Sequence, residues 1–514
     1  MRRAVLFVLS SCFASAQTAP HFHFTLKPGP YAVGLRVVEQ YDYTRTFHSK
    51  TDVLGKPYTD ERARPIQTLI WYPATPSKAN KMTVADYGKL LASETDFSHP
   101  GMSFRWQDWI KALTPTLNDS LLAVWDASQV AGQYPVVVYA PSLSAMSWEN
   151  ADLCEYLASF GYVVLASPDM GATTRFMTSD IAGTEAQAKD ISFLISYART
   201  LANVDFSNIA VAGFSWGGLS NLFAATRDSR VSALVALDGS MRYFPGIVKQ
   251  AGYVHPDQMT IPLLYFTQGE ISLEHVYLNH SGPDQQGPSV LNQWTHGDLM
   301  TVHDLALVHQ EHSSMFQRNE DFWKEYAGDH KGDYSREDGV AGYAWICRYT
   351  LNFLNAYLKH DAEAAAFLRK TTAENGAPPH LLTADFRPAK GFPASFDSFR
   401  TQIGQQGFDQ AAAIYATMQK EKPDFKLDKA ALLNWSFELQ EQNHVPESIV
   451  LLKFTCLLYP KSTYDQVALG EAYMKAHQEE AAVAAFNSAL SIDPDNEYAK
   501  TKLIELKTSE QTAK

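Results

Sequence analysis

The sequence predicts an α/β fold, a sheet with helices on both faces, joined to a C-terminal all-α repeat domain. Three observations carry this. Short apolar runs alternate with amphipathic stretches between about residues 135 and 360, the pattern of a parallel sheet whose strands are buried on both sides. Strand signals then stop after Pro378-Pro379, and the remainder is helical with a period of 34 residues, read from Lys429 to Thr463. A chain of 514 residues, 46% apolar and 12% aromatic, has the length for two or three domains and the composition for packed cores. The expected division is a signal peptide at 1–16, an α/β domain over 24–375 with an inserted or cap-like segment at 77–133, and helical repeats over 392–508.

At the N-terminus, Arg2 and Arg3 precede an apolar stretch from Ala4 to Phe13 and the cleavage pattern Ala14-Ser15-Ala16. Export with cleavage near Ala16 is expected; a lipoprotein anchored at Cys12 is the competing reading. No other run reaches the roughly 18 apolar residues of a spanning helix. The net charge of −13 argues against nucleic acid as a partner, because a phosphate backbone needs a basic surface. After cleavage Cys154, Cys347 and Cys456 remain, too widely spaced for a disulfide framework or a paired-cysteine metal site. Neither a metal nor another cofactor is expected.

Strand-like alternation runs from Tyr31 to Tyr43, and Thr68 to Pro73 forms a second strand, the antiparallel start of a sheet. Residues 77–133 mix Trp106, Trp109 and Trp125 with Gly and Pro and read as short helices and loops over the active site or a sheet edge. Further strands are expected at Pro135–Ala140, Tyr162–Ser167, Ile209–Ala212, Val231–Leu237, Ile261–Thr267 and Asp304–Gln310. Between them, Asn150–Phe160 and Thr184–Leu201 are helical, and Ala341–Lys359 closes the region as a long apolar helix. In the tail, Leu469, Gly470, Tyr473, Ala482, Phe486, Ala489 and Pro494 fall where a tetratricopeptide repeat places its small and large residues. Trp435, Leu439, Ser448, Leu452, Thr455 and Pro460 form a second copy, and Ala411, Tyr415, Met418 and Pro423 a weaker one offset by three residues.

The sharpest local signal is Gly213-Phe214-Ser215-Trp216-Gly217-Gly218, which follows an apolar strand and opens a helix. Strand, G-x-S-x-G and helix is the setting of a nucleophile elbow, in which serine occupies a strained turn and glycines relieve its crowding. A serine nucleophile needs a base, and the base needs an orienting acid, in the chain order Ser, acid, His for this arrangement. Asp238 directly follows the strand Val231–Leu237 and is the preferred acid; Glu270, after Ile261–Thr267, is the alternative. His296, His303, His309 and His312 all follow both. With the last strand at Asp304–Gln310, His309 would be buried in the sheet, and His303 and His312 would lie up to ~30 Å apart at ~3.3 Å per residue. His312 is therefore the expected base. The oxyanion is expected on the backbone N–H of Trp216 and on one from the loop after Ala140, where Pro141 has none and Ser142 or Leu143 must supply it.

These segments together, Pro135 to Met146, Gly213 to Gly218, Leu237-Asp238-Gly239 and His312 to Phe316, resemble the platelet-activating-factor acetylhydrolase and dienelactone hydrolase branch of the α/β-hydrolases. Gly29 to Gly34 and Trp71-Tyr72-Pro73 fit as well, so the resemblance covers roughly residues 28–360. It implies a serine hydrolase of small or short-acyl carboxylic esters, an acid at Asp238, and a second oxyanion donor at Leu143. Two departures stand out: Pro141-Ser142 replaces the family's His-Gly, and Phe214 stands where His is common. The same triad also serves peptidases and amidases. In a contrasting reading, the repeats bind a protein or peptide partner and the first domain is a weakly catalytic scaffold.

Overall fold

The computed structural model describes residues 22–269, 277–279, 286–327 and 331–512. The signal-peptide segment and Glu270 lie outside the described residues. The chain divides into two compact units, 1–390 and 391–514.

The first unit is built on an eleven-stranded sheet of order β13-β12-β9-β8-β7-β5-β6-β2-β1-β4-β3. In chain order the strands are β1 Ala32–Thr46, β2 Ala63–Ala74, β3 Lys81–Thr83, β4 Ser120–Trp125, β5 Tyr134–Ala140 and β6 Val163–Ala166. Then follow β7 Val204–Phe214, β8 Val231–Leu237 and β9 Leu263–Gln268. A separate ribbon pairs β10 Tyr277–Asn279 with β11 Gln286–Pro288. The main sheet ends with β12 Leu299–Asp304 and β13 Leu382–Arg387. Strands β5 to β9 and β12 run parallel to their neighbours among themselves, while β2 lies antiparallel to β6 and to β1.

Because successive side chains on a strand face opposite ways, the continuous apolar runs supply two cores at once. Val137 and Tyr139 of β5 face one core with the helices Ala151–Ser159 and Arg336–Leu358. Val136 and Val138 face the other with the helices Ile181–Ala198 and Trp216–Arg227. Between β2 and β5, β4 pairs with β1, extending the sheet edge, whereas the helix Phe104–Ala112 does not join it.

Two differences from the sequence reading matter. The last parallel strand is β12 at Leu299–Asp304, in register with β9 from Leu299↔Leu263 to Asp304↔Gln268, five residues before the expected Asp304–Gln310. Ala306, Leu307 and Val308 are buried as a loop, so their apolar character marks core packing without strand pairing. Beyond Pro379, strand signals were expected to stop, yet β13 runs antiparallel to β12 and closes the sheet edge.

The second unit is helical. Helices begin at 411, 445 and 479, 34 residues apart, and alternate with helices that begin at 429, 463 and 497 at the same spacing. Leu469, Ala472, Tyr473, Ala482, Phe486 and Ala489 share one apolar cluster. Gly470 is required there, since a Cβ on it would stand 2.7 Å from the Phe486 ring. Among the described residues, no helix is long and apolar enough to cross a membrane.

Candidate active site

The side chains of interest gather at the carboxyl ends of the parallel strands, where open α/β sheets leave a crevice. Ser215 follows β7, Asp238 follows β8, and the loop 141–146 follows β5, three strands that are neighbours in the sheet. Ser215 has φ 54° and ψ −116°, a left-handed strained conformation that costs roughly 1–3 kcal/mol for a residue with a side chain. Backbone bonds hold it there: its N–H donates to Leu237 O at 3.0 Å, and its carbonyl accepts from Ser240 N at 2.7 Å. The glycines make room for the turn. A Cβ on Gly217 would lie 2.1 Å from Ala140 O, and one on Gly213 would lie 2.6 Å from the Gly217 carbonyl carbon.

A chain of hydrogen bonds links Ser215 Oγ to His309 Nε2 at 2.8 Å and His309 Nδ1 to Asp238 Oδ2 at 2.6 Å. In this geometry Nδ1–H donates to the carboxylate and Nε2 accepts from the serine hydroxyl. Tyr243 O–H donates to the other carboxylate oxygen, Asp238 Oδ1, at 2.8 Å. Asp238 is fully buried, which alone would raise its pKa; the His309 bond, the charges of His309 and His312 and the Tyr243 bond outweigh burial and hold it below the usual carboxylate range.

The histidine is not the one expected from the sequence. His312 is completely buried, with Nε2 on Asp304 Oδ2 at 2.9 Å and Nδ1 on the His309 carbonyl at 3.0 Å. Both partners are acceptors, so both ring nitrogens of His312 must donate and none is left to take a proton. Burial would lower its pKa, but the bond to Asp304 and the carboxylate charge outweigh that and raise it. The displacement has a simple cause. With β12 ending at Asp304, His309 falls on a short 3-10 turn beyond the strand end, free to swing over β9 toward Ser215. Gln268, at the end of β9, accepts the His309 N–H at 3.0 Å and acts as the stepping-stone. Phe214 packs against both histidines, its ring centroid 5.0 Å from that of His309 and 6.3 Å from that of His312.

Of the expected oxyanion donors, Trp216 opens the helix after Ser215, so its N–H has no intrahelical acceptor. Ser142 is excluded as the second donor, because its N–H donates to Glu149 Oε2 at 2.8 Å. The N–H of Leu143 has no acceptor among the described residues. Next to this loop lies a cavity of about 370 Å³ walled by Leu143, Met146, Trp106, Trp109 and Phe316, with Trp109 edge-on to Phe316 at 4.9 Å. Trp106 and Trp109 come from the helix in the 77–133 segment, so part of that insertion borders the site. Among the described residues, no group of three or more His, Cys, Asp or Glu side chains is gathered as a metal site would require.

Residues 122–266 match the dienelactone hydrolase family, a stretch that holds Ser215 and Asp238 and stops before His309. No curated protein matches the chain. Among solved structures, a ferulic acid esterase from Streptomyces cinnamoneus is similar at a TM-score of 0.44 and 18% identity, over 65% of this chain and 93% of that one. Over the segment that carries Ser215 and Asp238, the chain is similar in sequence to a hydrolase family, and that segment lies within a mixed sheet flanked by helices.

Proposed function

We propose that the first unit is a serine hydrolase that cleaves carboxylic esters through an acyl-enzyme, with Ser215, His309 and Asp238 as its triad. The observation that carries this is the position of His309, within hydrogen-bond distance of both Ser215 and Asp238. Ser215 Oγ attacks the ester carbonyl carbon while His309 Nε2 takes its proton. The N–H groups of Trp216 and Leu143 receive the charge on the carbonyl oxygen. The tetrahedral intermediate collapses, the C–O bond to the alcohol breaks, and His309 returns the proton to the leaving oxygen. Water then repeats the sequence on the acyl-enzyme, with His309 as base, and frees the acid. Asp238 stays ionised throughout and holds the imidazole by Nδ1–H.

The substrates are small or short-acyl esters, a reading that rests on the family resemblance, and the cavity beside Leu143 seats an apolar substituent of the ester. The chain is exported by its N-terminal segment, and the helical unit is a tetratricopeptide stack that binds a protein or peptide partner. The 34-residue spacing of its helices supports that reading. Treatment of the purified protein with a fluorophosphonate probe tests the enzyme. Labelling of wild type that is lost in Ser215→Ala is the expected result; well-folded wild type that takes no label leaves only the scaffold reading.

A further inference from the structure

We propose that Glu149 and Asp169 are positioning residues that clamp the loop after β5 from its two sides and thereby aim the Leu143 N–H at the oxyanion. The inference rests on the ester-hydrolase reading and deepens it. Leu143 sits in the middle of three consecutive peptide units. The unit before it is fixed by Ser142, whose N–H and hydroxyl both donate to the Glu149 carboxylate, the N–H at 2.8 Å. The unit after it is fixed by Ser144, whose N–H donates to Asp169 Oδ2 at 2.6 Å. Ser144 has φ 60°, a left-handed conformation that a residue with a side chain adopts only when its surroundings impose it.

The rest of the loop is tied as well. Gln187 Nε2 donates to Pro141 O at 2.8 Å, Arg175 Nη1 to Ser144 O at 3.1 Å, and Met177 N–H to Ser144 Oγ at 2.8 Å. With both flanking units pinned, the direction of the middle N–H is set, and it is the one left without an acceptor among the described residues. Side-chain acceptors from outside the loop supply the fixation.

Stability does not explain these two acids. Both are fully buried, and burial pushes Glu149 up to about 7 and Asp169 up to about 8. Asp169 Oδ1 has no hydrogen-bond partner among the described residues. Buried carboxyls of this kind cost folding free energy, and the closest hydrogen bonds these two accept come from the loop.

The test is steady-state hydrolysis of 4-nitrophenyl acetate, together with inhibition by an aryl trifluoromethyl ketone, whose adduct on Ser215 places an oxyanion in the same position. Glu149→Ala and Asp169→Ala are expected to lower kcat by about 10- to 100-fold, the scale of an ångström's misplacement. KM should move less than about threefold, and the inhibition constant should rise by the same factor as kcat/KM falls. Glu149→Gln and Asp169→Asn keep a carbonyl acceptor and should stay within about threefold of wild type. Should Glu149→Ala fail to fold, Ser142→Ala removes only the hydroxyl donor and should show a smaller, parallel loss in kcat and inhibitor affinity. A loss in kcat with unchanged inhibitor affinity, amide variants as damaged as the alanine ones, or Ser142→Ala equal to wild type overturns the clamp. Wild type that takes no fluorophosphonate overturns the hydrolase reading instead, so the two failures are distinguishable.

Discussion

His309 and His312 lie three residues apart, and replacing each by alanine should produce opposite phenotypes. His309 is partly exposed and bonded to Ser215 and Asp238, so under the proposed mechanism His309→Ala removes the proton carrier, and it removes little packing. Loss of a triad histidine costs on the order of 10⁴- to 10⁶-fold in kcat, or about 5–8 kcal/mol of transition-state stabilisation. Its stability should fall less than that of His312→Ala, because Asp238 keeps the Tyr243 bond and water can enter beside the partly exposed ring to replace the lost donor. His312 is buried completely against Asp304, which is itself buried and raised to about 6 by desolvation, the His312 bond and charge opposing that rise. His312→Ala leaves that carboxyl without its donor, and breaking one side of a buried pair typically costs about 3–5 kcal/mol. The assays are hydrolysis of 4-nitrophenyl acetate and urea unfolding followed by tryptophan fluorescence. At 4 °C and under native conditions, folded His312→Ala should keep within about tenfold of wild-type kcat, since His312 touches the His309 backbone carbonyl and not its ring nitrogens and acts on Asp238 only through its charge. A dead, fully stable His312→Ala beside an active His309→Ala would refute the assignment and with it the position of β12.

Three further outcomes follow from the same contacts. Tyr243→Phe removes the hydroxyl that donates to Asp238 Oδ1 at 2.8 Å; kcat for 4-nitrophenyl acetate should fall by roughly 3- to 10-fold, as expected for one charge-assisted hydrogen bond. Trp109→Ala opens the cavity wall facing Phe316; it should change the ratio of kcat/KM for 4-nitrophenyl hexanoate over acetate by at least about fivefold, about 1 kcal/mol, with acetate turnover nearly unchanged. Burial raises Glu149 to about 7 and Glu155 and Asp169 to about 8, so between about pH 5 and 8 the unfolded chain has released protons the folded chain still holds. Stability should therefore decline as pH rises through that window, by at most about 1.4 kcal/mol per unit for each group, and Glu155→Gln should flatten the decline in a urea series.

Most of the fold was legible because its strands are of the kind that periodicity reveals. Val231–Leu237 is buried at every residue but Ser232, between two layers of helix, and a mostly apolar run of strand length between turns has few other uses. The repeat period was legible for a similar reason: Gly470 against Phe486 is a close helix contact that recurs in the sequence as small-against-large spacing. What failed lay at the sheet edge. β13 reads Leu-Thr-Ala-Asp-Phe-Arg and has only its first residue buried, so it carries no apolar run to announce it, and its pairing with β12 is a long-range event.

The site shows how one boundary error propagates. Ser215 and Asp238 each follow a strand directly, so the apolar runs of those strands mark their places at the sheet edge. The histidine follows β12 by five residues, and in between Ala306, Leu307 and Val308 are buried without pairing, which extends the apparent strand past its true end. A signal was present. Leu299 to Asp304 holds Thr301 and Val302, both β-branched, after the turn-forming Gly297-Asp298, and placing the strand there puts His303 within the sheet and His309 beyond it. The partners of the site were less accessible still. Tyr243, Gln268, Glu149 and Asp169 reach it from four different connections of the sheet, and nothing in their local sequence distinguishes an acceptor that fixes a loop from any other buried polar residue. Their positions follow from strand order: β9, β8, β7, β5 and β6 are consecutive neighbours in the sheet, so the residues at and just past their ends converge once the order is known. A sequence reading that fixed the order first and the strand ends by register with β9 would have reached His309, because Asp304 opposite Gln268 leaves it the first histidine past the edge.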